Sequence, residues 1–201
     1  MIGPNGSGKS TVLKNIYRGL LPDKGTIELD GENLLTMPYR KSALKMAVVG
    51  QENDVPFDFM VEEIVAMGRS PHKKMFDIDN AHDKEIVHHA LEHMGMEHMA
   101  KRSYLNLSGG EKTESNHARA IAQESDFLIL DEPTNHLDSS GRQRLYDWVE
   151  KWRSTLLVVS HDRTLLNLLP EICELEKHQI SYYGGNYEFY KEQKTLMQEA
   201  L

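Results

Sequence analysis

Residues 3 to 11 read Gly-Pro-Asn-Gly-Ser-Gly-Lys-Ser-Thr, which fits the spacing G-x-x-x-x-G-K-[ST] and runs directly into a helix-like segment. Phosphate chemistry explains that spacing. Gly3, Gly6 and Gly8 let backbone N–H groups wrap phosphate oxygens, and the start of a helix adds positive potential. The register places Lys9 at the β- and γ-phosphates of a nucleotide and the Ser10 hydroxyl on Mg²⁺. Pro4, Asn5, Ser7 and Thr11 complete the stretch. An ordinary glycine-rich turn before a helix is the alternative, and the Lys9-Ser10 pair favours the phosphate site.

Two acids, Asp131 and Glu132, follow the apolar run Phe127-Leu128-Ile129-Leu130. A carboxylate at the C-terminal tip of a buried strand can reach a nucleotide's Mg²⁺, and a second one residue further on can polarise an attacking water. Taken alone, two acids after a strand are often only a solvated strand end. Leu107-Ser108-Gly109-Gly110-Glu111 contains the capping box S-x-x-E, an ordinary helix start by itself. Gln51 follows one strand candidate and Ser160-His161-Asp162 another. His89 and His93, with His88 and His98 nearby, have a spacing that can share a metal, but a solvated helix face is the better reading.

Strands alternating with helices must position these residues, the pattern of an α/β sheet covered by helices. Val12, Leu13, Ile16, Tyr17 and Leu20 form one helical stripe after Lys9. Ile27 and Leu29 alternate like a half-buried strand that Asp30-Gly31 ends, and Met46 to Val49 is a buried strand stopping at Gly50. From about Pro56 to Leu107 strand patterns vanish and Met and His are frequent, which predicts a helical lobe with stripes at Val61 to Met67 and Ile86 to Met94. Strands return at Phe127 to Leu130 and Thr155 to Val159. Between them a helix carries Leu145, Trp148, Val149 and Trp152, capped by Asp138 or Ser139. Glu171 to Ser181 reads as a surface hairpin, and Asn186 as the cap of a terminal helix.

A length of 201 residues predicts one domain with an inserted lobe. Twenty-three basic against thirty-one acidic residues give a net charge of −8, the wrong sign for binding nucleic acid by counterion release. Lacking any apolar run of about 20 residues, the sequence predicts no direct membrane insertion. Cys173 is the only cysteine, so no internal disulfide can form and a reducing compartment suits the chain. The N-terminus has neither a basic nor an apolar leader region, so nothing marks it for export.

Phosphate loop, Gln51, Leu107 to Glu111, the apolar-Asp131-Glu132 segment and His161, in this order, resemble the ATP-binding cassette (ABC) ATPases over nearly the whole chain. The resemblance implies an α/β P-loop NTPase fold, a mainly parallel sheet flanked by helices with an inserted α-helical subdomain. The core would span 1–55 and 108–201, and the helical subdomain 56–107. By the same resemblance the cofactors are ATP and Mg²⁺. Gly3 to Thr11 correspond to the Walker A loop, Gln51 to the Q-loop glutamine, and Asp131 to the Walker B aspartate, with Ser10, Gln51 and Asp131 on Mg²⁺. Glu132 corresponds to the catalytic glutamate, His161 to the switch histidine, and Asp138 to the D-loop aspartate. Such cassettes form head-to-tail homodimers in which the signature segment, here Leu107, Ser108, Gly109, Gly110 and Glu111, meets the ATP of the partner. The implied location is cytoplasmic, peripheral at the inner face of the cell membrane.

Two sub-families share the resemblance. Residues 1 to 111, most clearly the stretch Val61-Glu62-Glu63-Ile64-Val65-Ala66-Met67-Gly68-Arg69-Ser70-Pro71, resemble ATPase subunits of iron-siderophore and vitamin B12 importers, which imply a membrane permease as partner. Residues 133 to 201, with Gly184-Gly185-Asn186-Tyr187, resemble the ABC-F class, which implies the ribosome instead. That split suggests a chimera with its junction between Lys112 and Ser139. The importer reading is the expectation, and a ribosome-acting ATPase or a nucleotide-binding module with little hydrolysis is the alternative. Two departures bear on activity. Only Met1 and Ile2 precede the phosphate loop, so the loop is expected to lack its anchoring strand and the adenine its aromatic platform, weakening nucleotide binding. Lys112 to His117 is almost wholly polar, which predicts a loose signature helix.

Overall fold

The computed structural model describes residues 1–50, 57–74, 77–78 and 80–199, so Gln51 lies outside the described residues. Three strands rich in Val, Ile and Leu, β3 (Met46–Val49), β4 (Phe127–Asp131) and β5 (Thr155–Val159), form a parallel sheet in that order. The near-continuous burial of β3 and β4 is what a parallel sheet covered on both faces demands, while β5 is buried only at Val158 and Val159. Leu128 pairs with both Ala47 and Leu156, so β4 is central and its C-terminal end brings Asp131 level with Val159. Around the sheet lie α1 (Lys9–Ile16), a small hairpin of β1 (Glu28–Leu29) and β2 (Glu32–Asn33), and α2 (Tyr39–Lys45). Asp30 and Gly31 both take positive φ, 52° and 75°, as a tight two-residue hairpin turn requires. The stripe expected to run to Leu20 stops at Ile16, because Arg18 turns left-handed at φ 65° and leaves Leu20 exposed.

Met1 and Ile2 correct the expectation that the loop has lost its anchor. The Met1 amino group donates to the Val158 carbonyl. Ile2 pairs in parallel with Glu174 of β6 (Ile172–Glu176): its N–H donates to Cys173 O at 2.8 Å, and its carbonyl accepts from Leu175 N–H at 2.9 Å. Two residues thus do the anchoring work of a strand. Met1, Leu13, Met37, Met46, Ile129 and Leu175 then share one core cluster beneath α1.

The helical region contains α3 (Val61–Ala66), α4 (Ala81–His93) and short 3₁₀ turns, and leads into α5 (Gly109–Ala122). A bridge between Met60 and Ser103, with Tyr104 N–H donating to Phe59 O at 2.8 Å, ties its two ends together. Buried Arg69 fastens α4 to the end of α5, reaching Asp83 at 3.0 Å, Ala122 O at 2.9 Å and Glu124 at 2.8 Å. The remaining elements are α6 (Ser139–Lys151), α7 (Arg163–Asn167), β7 (Gln179–Tyr183), which pairs antiparallel with β6, and α8 (Tyr187–Glu199). Asp138 caps α6 through Gly141 N–H, and Asn186 Oδ1 accepts from Phe189 N–H at 3.1 Å at the start of α8.

Helix α5 reverses a second expectation: its polar run is buried, not loose. One continuous apolar cluster joins Val61, Ile64, Leu91 and Met94 to Leu128, Leu145 and Trp148, with Ala118 and Ala122 of α5 between them. Glu114, Ser115, Asn116 and His117 are buried with these alanines. Glu114, Ser115 and the Asn116 amide nitrogen find partners, which lowers the cost of burying them, while Asn116 Oδ1 has none among the described residues. Glu114 pairs with Arg144 of α6. Ser115 Oγ donates to Glu111 O at 2.9 Å, and Asn116 Nδ2 donates to Tyr104 Oη and Lys112 O, both at 3.0 Å. His117 is fully buried against Trp148, ring centroids 5.8 Å apart, and neither ring nitrogen has a hydrogen-bond partner among the described residues.

Burial lowers the pKa of His117 from 6.5 to about 4 by penalising the charged form. Between those values the unfolded chain binds the extra proton, so stability is full above about pH 6.5 and falls as pH drops toward 4, at most by about 1.4 kcal/mol per pH unit. His117→Leu removes this term. Denaturant titrations at pH 7 and pH 5 are expected to show a stability loss smaller by about 1 to 2 kcal/mol in the variant than in the parent chain. Equal losses would contradict the assignment.

Candidate active site

The loop between Ile2 and α1 is shaped by its glycines. Gly8 caps α1 at φ 102°, a left-handed conformation that costs other residues about 1 kcal/mol, and it brings no side chain to satisfy the first N–H groups of the helix. Those donors and the helix dipole therefore face the cleft, where an anion is favoured. Gly3 lies so close to the Leu175 carbonyl that a Cβ would fall 2.3 Å from its oxygen. The Lys9 ammonium is buried and donates to Gly3 O at 2.8 Å and Pro4 O at 3.0 Å, which curves the loop around it.

Across the cleft stand the acids at the tip of β4. Asp131 is buried and its Oδ1 has no hydrogen-bond partner among the described residues. Burial pushes its pKa up, while Lys14 and Lys9 pull it back. A desolvated carboxylate oxygen without a partner, lining the same cleft as the Ser10 hydroxyl, is a donor set that fits a hard divalent cation. Glu132 follows in the left-handed region at φ 49°, its N–H donating to Val159 O at 2.7 Å. That turn aims its carboxylate at His161, whose Nε2 lies 3.5 Å from Oε1 and whose backbone N–H lies 3.4 Å from Oε2. Burial raises the pKa of Glu132, with His161 opposing, and a raised pKa makes a carboxylate a stronger proton acceptor. Asn5, Gly6, Gly8, Lys9, Ser10, Thr11, Asp131, Glu132 and His161 line this cleft of about 290 Å³.

The segment Leu107 to Glu111 lies elsewhere. Ser108 caps α5: its Oγ accepts from Glu111 N–H at 3.3 Å, and its own N–H donates to Glu111 Oε2 at 2.6 Å; hydrogen bonding from Ser108, its backbone N–H first, holds the Glu111 carboxyl below its usual range. Ser108, Gly109, Gly110 and Glu111 line a second cleft of about 440 Å³ with Glu114, His136, Leu137 and Asp138, and it shares no residue with the first. Leu107 is buried below it. The Asp138 carboxylate is occupied as a cap, accepting from Gly141 N–H at 2.7 Å and Ser140 Oγ at 3.0 Å. His136, within the stretch from Asn135 to Asp138 that resembles the D-loop, also lines this second cleft. Its φ is 64°, and its carbonyl sits 2.7 Å from where a Gly110 Cβ would lie. Among the described residues, then, one chain brings together the phosphate loop, Asp131, Glu132 and His161, and holds Ser108 to Glu111 and Asp138 apart from them.

The family described as "ABC transporter" matches residues 1–135. The chain is 34% identical over 189 residues to the ferric enterobactin transport ATP-binding protein FepC of Escherichia coli, covering 92% of this chain and 68% of that protein. It is 37% identical over 182 residues to the hemin import ATP-binding protein HmuV of Pseudomonas putida, covering 87% of this chain and 69% of the relative. An alignment of 189 residues necessarily crosses 112–139, where the sequence suggested a junction, so one importer subunit is similar on both sides of it. Among solved structures, an inward-facing putative metal-chelate type ABC transporter matches with a TM-score of 0.73 at 28% identity, covering 92% of this chain and 72% of that one. A dimeric ATP-binding cassette in a post-hydrolysis state bound to ADP and Pi shares the fold, with a TM-score of 0.80 at 24% identity, covering 91% of this chain and 83% of the other.

The close packing of Gly110 on the His136 carbonyl gives a direct check. Gly110→Ala must displace backbone, since the contact is to a carbonyl and not to the end of a flexible side chain. The variant is expected to lose about 1 to 3 kcal/mol of stability in denaturant titration, while Gly6→Ala, whose Cβ meets nothing within 4 Å, loses less through packing and more through its φ of 78°. A Gly110→Ala chain as stable as the parent would show that the second cleft is not shaped this way.

Proposed function

The chain belongs to the ABC transporter family, and from that premise we propose that it is the Mg-dependent, ATP-hydrolysing subunit of an importer for iron-siderophore or related metal-chelate solutes. The observation that carries the reading is the pairing of an uncapped helix start and buried Lys9 with Asp131, Glu132 and His161 in one cleft. The loop N–H groups and Lys9 bind the phosphates of ATP. Ser10 and Asp131 would hold Mg²⁺, which neutralises charge on the phosphate oxygens; Gln51 is the further ligand that the family resemblance implies. Glu132 accepts the proton of the water that attacks the γ-phosphorus while the bond to the ADP oxygen breaks. His161, against Glu132, steadies the carboxylate and meets the γ-phosphate.

One chain lacks a complete site, because Ser108 to Glu111 face a separate cleft. A head-to-tail homodimer supplies the missing part: the N-terminus of α5 and the Ser108 hydroxyl of one copy stabilise the γ-phosphate held by the other. What the relatives' names say supports the solute class, since FepC and HmuV are named for ferric enterobactin and hemin. A membrane permease is the second partner, which places the chain at the inner face of the cell membrane; no described helix is long and apolar enough to cross a membrane itself.

Glu132→Gln keeps the shape and removes the base. The variant is expected to bind Mg-ATP and accumulate as an ATP-bound dimer in size-exclusion chromatography, with turnover down by about 10²-fold or more. Parent-like turnover would show that Glu132 is not the proton acceptor.

A further inference from the structure

Glu174 is a buried acid that the hydrolysis chemistry leaves unused. It sits in β6, and its carboxylate collects donors from β7 and α8. Tyr190 Oη donates to Oε1 at 2.7 Å, Lys194 Nζ to Oε2 at 2.6 Å, and Tyr183 Oη to Oε2 at 3.4 Å. Lys194 also reaches Glu176 at 3.0 Å, and the Tyr183 and Tyr190 rings meet edge-on at 4.9 Å. The backbone of this same residue is the bridge partner of Ile2, and its two neighbours, Cys173 and Leu175, make the hydrogen bonds that hold Ile2. Leu175 also supplies the carbonyl on which Gly3 rests, and Gly3 supplies a carbonyl to Lys9.

From this continuity we infer that Glu174 is a positioning residue for the phosphate loop, and that Tyr190 and Lys194 of α8 are the clamp that keeps it in place. The inference rests on the ATPase reading above. A buried carboxylate stripped of its donors cannot stay where it is at little cost, and must move toward water. Besides its bridge to Ile2, β6 pairs among the described residues with β7, whose residues from Gln179 to Tyr182 are exposed, so a displacement of β6 is passed to Ile2 and not resisted by a further strand on the β7 side. Movement of β6 then shifts Leu175 and Ile2 and loosens the turn from Gly3 to Lys9. The docking of α8 is thereby transmitted to ATP binding more than to the chemical step, which belongs to Glu132 in the turn after β4.

Tyr190→Phe removes one donor and keeps the ring, and Glu174→Gln removes the charge and keeps the shape. Each is expected to raise the KM for ATP by about tenfold with kcat within about twofold of the parent, and to speed amide hydrogen exchange across residues 3 to 9. Glu176→Gln, which touches only the exposed arm of Lys194, is expected to change neither. If either variant lowers the melting temperature but leaves KM and loop exchange at parent values, the role is merely structural and the inference is overturned. The exchange measurement needs no nucleotide. A parent chain that binds no Mg-ATP would therefore overturn the ATPase reading, while faster loop exchange in Tyr190→Phe would still support the link from α8 to the loop.

Discussion

Between Ile2 and Leu175 the chain makes the contact on which the nucleotide cleft depends. Ile2 exchanges backbone hydrogen bonds with Cys173 and Leu175, and Gly3 then lies against the Leu175 carbonyl with no room for a side chain. This fixes where the loop begins. Where it ends is fixed by Gly8, whose left-handed φ turns the chain into α1 and leaves the first N–H groups of the helix to the cleft. Lys9 closes the arc by donating to carbonyls at the loop's start. An anion site made this way consists mostly of backbone, so it is held by strand pairing and packing instead of by side chains that lose rotamer freedom on binding.

The second support is α5, which serves two surfaces at once. Its start, capped by Ser108 and Glu111, presents the segment from Leu107 to Glu111 to the second cleft, and its body forms the wall shared by the helical region and the sheet. Burying Glu114, Asn116 and His117 there has a cost that an all-apolar helix would not carry. Glu114 offsets it through Arg144 and Asn116 through Tyr104, whereas His117 meets it by remaining neutral. The helix start is consequently braced from α6 and from the turn at Tyr104, as the role proposed for it at a γ-phosphate would need.

Phosphate chemistry was legible in the sequence because it demands specific residues within a short span. Gly3 to Ser10 span eight residues of local information, and the capping box at Ser108, the turn at Asp30-Gly31 and the acids after the run 127–130 are equally local. Contacts between distant residues were not legible. Nothing near Ile2 announces that its partners lie at Cys173 and Leu175, so the loop looked unanchored. Likewise a polar string such as Glu114-Ser115-Asn116-His117 reads as a surface, and only its partners at Tyr104, Arg144 and Trp148 show why it is buried. The carbonyl of His136 shapes the second cleft through its backbone, which residue type does not encode.

The central claim is that hydrolysis needs the phosphate loop of one copy and Ser108 of another. It is tested most directly by mixing two inactive chains, Lys9→Ala and Ser108→Arg, and measuring ATP turnover. Random pairing makes about half of the dimers mixed, and each mixed dimer carries one site with intact Lys9 and intact Ser108, so turnover should recover to about a quarter of the parent value. A mixture as inactive as its components, or a Ser108→Arg chain that hydrolyses ATP alone at the parent rate, would contradict the account.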